Sequence, residues 1–180
     1  MEKHPNVEYV MLSERKIAKR LKELAAQMDK LYGGRKPVVV CILKGSVLFF
    51  TDLIRNMKTP LIIDFMSVSS YGSGTTSGEL KIKQDLATDI AGRDVLIVED
   101  IIDSGNTLYN LKKLLNSRSP ASVNIVTLLD KPARREVPIE PEYTGFVIED
   151  EFVVGYGLDY AEEYRNLPYV GVLKRSVYEN

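Results

Sequence analysis

The strongest constraint on this chain is a recurrence of short apolar runs separated by helical segments. "PVVVCILK" (37–44), "DVLIVED" (94–100) and "SVNIVTLLD" (122–130) carry almost no polar alternation. That is the pattern of strands covered on both faces. "PLIIDFMSVSS" (60–70) reads as a further strand, and "ELKIKQDL" (79–86) as an alternating one. Between them, "SVLFFTDLIRNM" (46–57) and "NTLYNLKKLLNS" (106–117) read as helices. Strand–helix–strand repeated in this way predicts an α/β fold, a parallel twisted sheet flanked by helices.

Ahead of these, "SERKIAKRLKELAAQMDKLYGG" (13–34) places Ile17, Leu21, Leu24, Met28 and Leu31 at helical spacing. Ser13 is its expected N-cap, and Gly33 or Gly34 its stop. The tail from Tyr143 to Leu173 has shorter apolar pieces broken by Gly and Pro, which predicts a small irregular β-containing lobe beside the sheet. The expected organisation is one domain over 1–180, with a core at about 35–130 and a hood from the N-terminal segment and about 131–180.

Composition narrows the function class. With 44% hydrophobic residues the chain can bury a real core, and its net charge of −1 with no basic block does not suggest nonspecific affinity for nucleic acid. No stretch has the length of a membrane span or the character of a signal peptide. The single Cys41 lies within a strand run, and His4 is the only histidine. These features predict a reduced, cytoplasmic protein without His-based triads or His-rich metal sites.

The chemistry concentrates in "VLIVEDIIDSGNTL" (95–108). Ligands of open α/β sheets bind beyond the carboxyl ends of the strands, which is where Glu99 and Asp100 fall. Adjacent carboxylates there can accept hydrogen bonds from sugar hydroxyls or hold a hydrated Mg²⁺. "DSGNT" then opens a helix: small residues let backbone N–H groups converge, the helix start is electropositive, and Ser104 and Thr107 add hydroxyls. Alone, Asp103 or Ser104 reads as an ordinary N-cap. As a unit, the stretch reads as a site for a phosphorylated ribose. Neither GxxxxGK[ST] nor GxGxxG is present in this turn.

This stretch closely resembles the motif with which purine phosphoribosyltransferases bind 5-phosphoribosyl-1-pyrophosphate (PRPP). "LKGS" (43–46), "SSYGSGTTSGE" (69–79), "LLDKPARR" (128–135) and "FVVGYGLDY" (152–160) extend the resemblance, in order, to the bacterial hypoxanthine-guanine members of that type I family. The resemblance implies purine salvage. Phosphoribosyl would pass from PRPP to hypoxanthine or guanine, giving IMP or GMP and pyrophosphate, with Mg²⁺ as cofactor and a homodimer or homotetramer as the assembly.

The same resemblance assigns roles. Lys44 and Gly45 would bind pyrophosphate on a loop that in the family often contains a non-proline cis peptide at the position of 43–44. Ser70 and Tyr71 would belong to a lid that keeps water from an oxocarbenium-like ribose. Glu99 and Asp100 would bind the ribose hydroxyls directly or through Mg²⁺, and Asp103, Ser104, Gly105, Asn106 and Thr107 would hold the 5′-phosphate. Asp103 would also be the base at purine N7. Lys131 would donate to the purine O6 and so reject adenine. Phe152 would stack on the base, the carbonyls of Val153 and Asp159 would accept from its edge, Asp159 would ligate a second Mg²⁺, and Arg165 would grip pyrophosphate. Read without the family, Lys44–Ser46 is a turn and helix cap, Lys131 a solvated loop lysine, Phe152 a core aromatic and Asp159 a turn residue.

Three other readings stay open. A xanthine-preferring paralogue needs a donor where guanine needs an acceptor. A PRPP-binding regulator of transcription or RNA attenuation would need a DNA-binding domain, for which the stretch before Ser13 is expected to leave no room, or a basic surface. An α/β domain with a dead site is disfavoured by the retained Asp103, Lys131, Asp159 and Arg165.

Overall fold

The computed structural model describes residues 2–70 and 80–179. A six-stranded sheet is built from β2 (Val38–Ile42), β3 (Ile62–Ser70), β4 (Leu80–Gln84), β5 (Asp94–Ile102), β6 (Ser122–Asp130) and β7 (Tyr143–Val147), in the order β4-β3-β2-β5-β6-β7. All neighbours are parallel except β4, which runs antiparallel to β3. The sheet is therefore mixed rather than wholly parallel. The difference has a plain cause: only nine residues separate β3 from β4, fewer than the dozen or so a parallel crossover needs.

The unbroken apolar runs are explained by two cores. Val39 and Cys41 of β2, Leu96 and Val98 of β5, and Val126 and Leu128 of β6 face one core, with α1 (Glu14–Tyr32) and α2 (Val47–Asn56). Val38, Val40, Val95, Ile97, Val123 and Ile125 face the other, with Leu108, Leu111 and Leu115 of α3 (Asn106–Asn116). Because strand side chains alternate, a run covered on both faces is filled by apolar side chains at successive positions. Cys41 is one of these packing residues: burial pushes its thiol up to about 11.

Ser13 caps α1 by accepting from the N–H of Lys16 at 3.3 Å, and Gly33 ends it at φ 50°. The buried stripe runs through Ile17, Leu21, Leu24, Ala25, Met28 and Tyr32.

A second sheet lies apart, antiparallel, in the order β1-β9-β8, from β1 (Val7–Leu12), β8 (Val153–Val154) and β9 (Val170–Leu173). Its own cluster joins Val7, Val154, Tyr164, Tyr169 and Leu173. The tail therefore does form a small β lobe, but its first strand departs from the sequence reading: β7 pairs in parallel with β6 and extends the main sheet. α1 packs on α2, in the core cluster that Leu12, Val153, Val170 and Val172 of the small sheet also join. "YTGFV" is too short and too half-buried to be told from a hood strand by pattern. Only its partner distinguishes the two. Among the described residues, no helix is long and apolar enough to cross a membrane.

Candidate active site

β5 ends in the acidic stretch, and two clefts open there. One, of about 310 Å³, is lined by Leu43, Ser69, Glu99, Ser104, Gly105 and Thr107 among others. The second, of about 400 Å³, is lined by Lys131, Arg134, Asp150, Phe152, Val153 and Tyr178 among others. Ile101 and Asp103 line both.

The first cleft has the features of an anion cradle. Gly105 precedes α3 at φ 83°, and no side chain caps the helix. Its electropositive N-terminus lines the cleft at Gly105, Thr107 and Leu108. The turn is braced from outside: the N–H of Glu136 donates to the Ser104 carbonyl at 3.0 Å, and the Asn106 amide donates to Glu136 Oε2 at 2.7 Å and to Ser104 Oγ at 3.2 Å. The Asn106 side chain is thus turned toward the brace. Arg135 donates to the Asp103 carbonyl and pairs with Asp130.

Above the cradle lie two carboxylates. Burial, and then the adjacent Asp100 charge, push Glu99 well above the usual carboxylate range. Burial also raises Asp100, opposed by hydrogen bonds from Glu99 and the Ile101 N–H and by the positive charge of Arg165. Glu99 Oε2 is buried with no hydrogen-bond partner. An orphaned oxygen beside a second carboxylate fits a cation or sugar hydroxyls. Among the described residues, three or more His, Cys, Asp or Glu do not cluster as a metal site. A cation held by this pair would complete its shell with water and substrate oxygens, as Mg²⁺ does.

The loop after β2 presses on this pair. The Leu43–Lys44 peptide is cis. Gly45 is packed so closely that a Cβ there would lie 1.6 Å from Asp100 Oδ2. The loop is touched from the other side by Gly157, at φ 103°, whose added Cβ would lie 1.9 Å from the Gly45 carbonyl oxygen. Any side chain at either position must move the backbone or the Asp100 carboxylate.

Lys44 and Arg165 converge here through a residue the sequence reading did not single out. Lys44 Nζ lies 3.2 Å from both Glu162 oxygens, and Arg165 lies 3.1 Å from Glu162 Oε2 and 2.8 Å from Asp159 Oδ1. Lys44 and Arg165 together hold the Glu162 carboxyl below its usual range. Arg165 also donates to the Gly157 carbonyl at 2.8 Å. Asp159 Oδ2 accepts from the Glu162 N–H at 3.0 Å, so both its oxygens are engaged within this loop.

In the second cleft Lys131 is buried, not solvated. Its Nζ donates to the Glu151 carbonyl at 2.7 Å and stands 3.5 Å from Asp150. Arg134 Nε lies 2.7 Å from Asp103 Oδ1, an ionic contact rather than a directed hydrogen bond, and 3.4 Å separates its Nη1 from Asp150. Phe152 leaves 38% of its surface open, unlike a core aromatic. Val153 lines the cleft beside it. Ser70 ends β3 in its backbone, and Tyr71 lies outside the described residues. Arg134, Glu136, Asp150, Glu162 and Tyr178 were missed. Arg134 alone had a signal, adjacency to Lys131 in "KPARR".

A family model for the phosphoribosyl transferase domain matches residues 11–161. The hypoxanthine-guanine phosphoribosyltransferase of Bacillus subtilis (strain 168) is 53% identical over 100% of both chains. The chain belongs to this phosphoribosyltransferase family. The hypoxanthine-guanine phosphoribosyltransferase of Streptococcus pneumoniae (strain R6) is 54% identical over 97% of this chain and 98% of its own. A crystal structure of a hypoxanthine phosphoribosyltransferase from Staphylococcus aureus superposes with a TM-score of 0.95 at 54% identity, covering 98% of this chain and 97% of that one. A Listeria innocua relative named bifunctional protein TilS/HprT is also 54% identical, and there the chain spans 27% of the relative's length. The sheet, the hood and the paired clefts are thus the phosphoribosyltransferase architecture, a type I fold.

Proposed function

We propose that this phosphoribosyltransferase performs purine salvage, joining the phosphoribosyl group of PRPP to hypoxanthine or guanine to give IMP or GMP and pyrophosphate. The observation that carries the reading is that Asp103 lines both clefts. A sugar phosphate seated over the α3 N-terminus and a base seated beside Lys131 and Phe152 meet at one carboxylate. The 5′-phosphate binds the backbone and hydroxyls of 103–107. Lys44, Gly45 and Arg165 take the pyrophosphate. Glu99 and Asp100 take the ribose hydroxyls, and they and Asp159 are the residues that would hold Mg²⁺. When bound, Mg²⁺ neutralises pyrophosphate and makes it a better leaving group. Asp103 accepts the N7 proton as N9 bonds to C1′, once Arg134 yields its oxygen. Lys131 donates to O6, while the Val153 and Asp159 carbonyls accept from the opposite edge. A buried donor facing adenine's amino group rejects it by about 10⁴-fold. Ser70 and Tyr71 exclude water as part of the lid.

The setting is cytoplasmic, in keeping with a lone buried Cys41. The partners are PRPP and a 6-oxopurine, not nucleic acid or membrane, and the assembly is a homodimer or homotetramer. Core and hood form one domain over 1–180.

An ultraviolet assay with PRPP and Mg²⁺ tests the reading, with hypoxanthine, guanine, xanthine and adenine in parallel. Turnover of hypoxanthine and guanine, not adenine, is expected. Asp103→Ala should lower kcat by about 10²–10⁴-fold, and Lys131→Ala should erode base selectivity. Dominant xanthine turnover, or none with any base despite PRPP binding, would overturn it.

A further inference from the structure

The base cleft contains an aromatic residue from the far end of the chain. Tyr178 lies on α4 (Arg175–Tyr178), the turn of helix after β9, and lines the cleft with Phe152. Their rings stack, with centroids 4.7 Å apart and planes 21° apart, while Tyr160 meets Phe152 edge-on at 5.6 Å. Tyr178 in turn packs on the hood cluster of Val7, Val154, Tyr164, Tyr169 and Leu173. The backbone of Phe152 is held by β9, which leads into α4, since its carbonyl accepts from the Leu173 N–H at 2.8 Å.

We propose that Tyr178 is a positioning residue for the purine, clamping the Phe152 ring in the plane the base must stack on. Phe152 needs such a clamp. It stands immediately before the two-residue strand β8, and 38% of its surface is open. A ring free to turn about χ1 and χ2 would lose that freedom each time a base bound, weakening stacking. With one face already fixed by Tyr178, the other is ready for a flat heterocycle at offset-stacking distance. The clamp acts on base binding and not on the bond-making step, which belongs to Asp103, just beyond the end of β5.

This inference rests on the salvage reading, and the experiment separates the two. Steady-state constants for hypoxanthine and guanine at saturating PRPP are compared among the wild type, Tyr178→Ala and Tyr178→Phe. Calorimetric Kd values for IMP and for Mg²⁺–PRPP are measured alongside. Wild-type turnover decides the salvage reading alone; the ratio of variant to wild type decides the clamp, and the IMP Kd reports it even without turnover. Tyr178→Ala should raise the base KM and the IMP Kd about threefold to tenfold, the range of an aromatic pair. Its kcat and PRPP Kd should stay near wild type, and Tyr178→Phe should restore both raised constants. Unchanged base KM and IMP Kd in Tyr178→Ala would overturn the proposal. Tighter base binding would also overturn it, making Tyr178 an occupant that the base must displace. Equal losses in PRPP and base binding would reduce Tyr178 to a general packing residue.

Discussion

Replacing Gly45 with alanine probes the join between the loop after β2 and the acidic pair. The φ of Gly45 is not in the left-handed region, so alanine suits the backbone. The conflict is purely one of space. The new Cβ would lie 1.6 Å from Asp100 Oδ2 and 2.7 Å from its Cγ. Ordinary contact begins near 3.4 Å, so the two must separate by about 1.8 Å. The loop has no room to retreat, because the Gly45 carbonyl sits against Gly157. Asp100 has little more, since its Oδ1 holds the Ile101 N–H at 2.8 Å. Overpacking of this kind costs about 1–3 kcal/mol, offset in part by the about 0.4–1 kcal/mol that alanine contributes through the unfolded chain. The net, about 0–2.6 kcal/mol, corresponds to a Tm lowered by up to about 10 °C in a chain of this size. Asp100 should also turn out of the cleft and weaken Mg²⁺–PRPP binding by tenfold or more, on the order of one lost charge-assisted contact. Scanning calorimetry and PRPP titration measure the two effects. A double-mutant cycle with Asp100→Ala isolates the cause: Gly45→Ala should cost almost no stability once the carboxylate is gone. A Gly45→Ala protein with wild-type Tm and PRPP affinity, or an equal Tm loss in the Asp100→Ala background, would refute the reasoning.

Two further outcomes follow from the charges, and a third from packing. Glu99 and Asp100 are raised in the folded chain, so between the ordinary carboxylate pKa near 4 and their folded values the native state binds more protons than the unfolded state. The ligand-free protein should therefore lose stability as pH rises through that window, and Glu99→Gln should flatten the dependence in Tm-versus-pH scans; a steeper slope would contradict the assignment. Glu162→Gln should bind pyrophosphate more tightly by less than about fivefold, the range of an exposed ion pair, because Lys44 and Arg165 no longer hold a carboxylate. Calorimetry showing weaker binding would mean that Glu162 orients these cations instead of occupying them. Gly157→Ala should lower Tm and PRPP affinity together, since its Cβ meets backbone, which cannot rotate aside.

Most of the core was legible because its periodicities are local. Val38–Ile42 and Asp94–Val98 read as doubly covered strands, and both are buried throughout. What stayed hidden depended on partners distant in sequence. Nothing in "YTGFV" reveals that β7 pairs with β6 and not with the hood. The antiparallel course of β4 lies in its pairing with β3, which its alternating residues do not state. The acidic pair and the cradle were readable because strand end and helix start adjoin in sequence. Glu162, Glu136 and Tyr178 were not, since each acts on a group at least 26 residues away (Tyr178 on Phe152) or farther, as Glu162 does on Lys44.

The hood strands carry a consequence for how the protein is made. β1 precedes the main sheet, yet its partner β9 follows β7 in the chain, and among the described residues β8 pairs with β9 alone. The sheet from β2 to β7 and the turn over α3 need none of these late residues for their pairing. On the ribosome, where segments fold in order of emergence, the first cleft can assemble before β9 has emerged, and the second, which takes Phe152, must wait for that strand. A nascent chain halted before Val170 would be expected to hold a sugar phosphate but no purine.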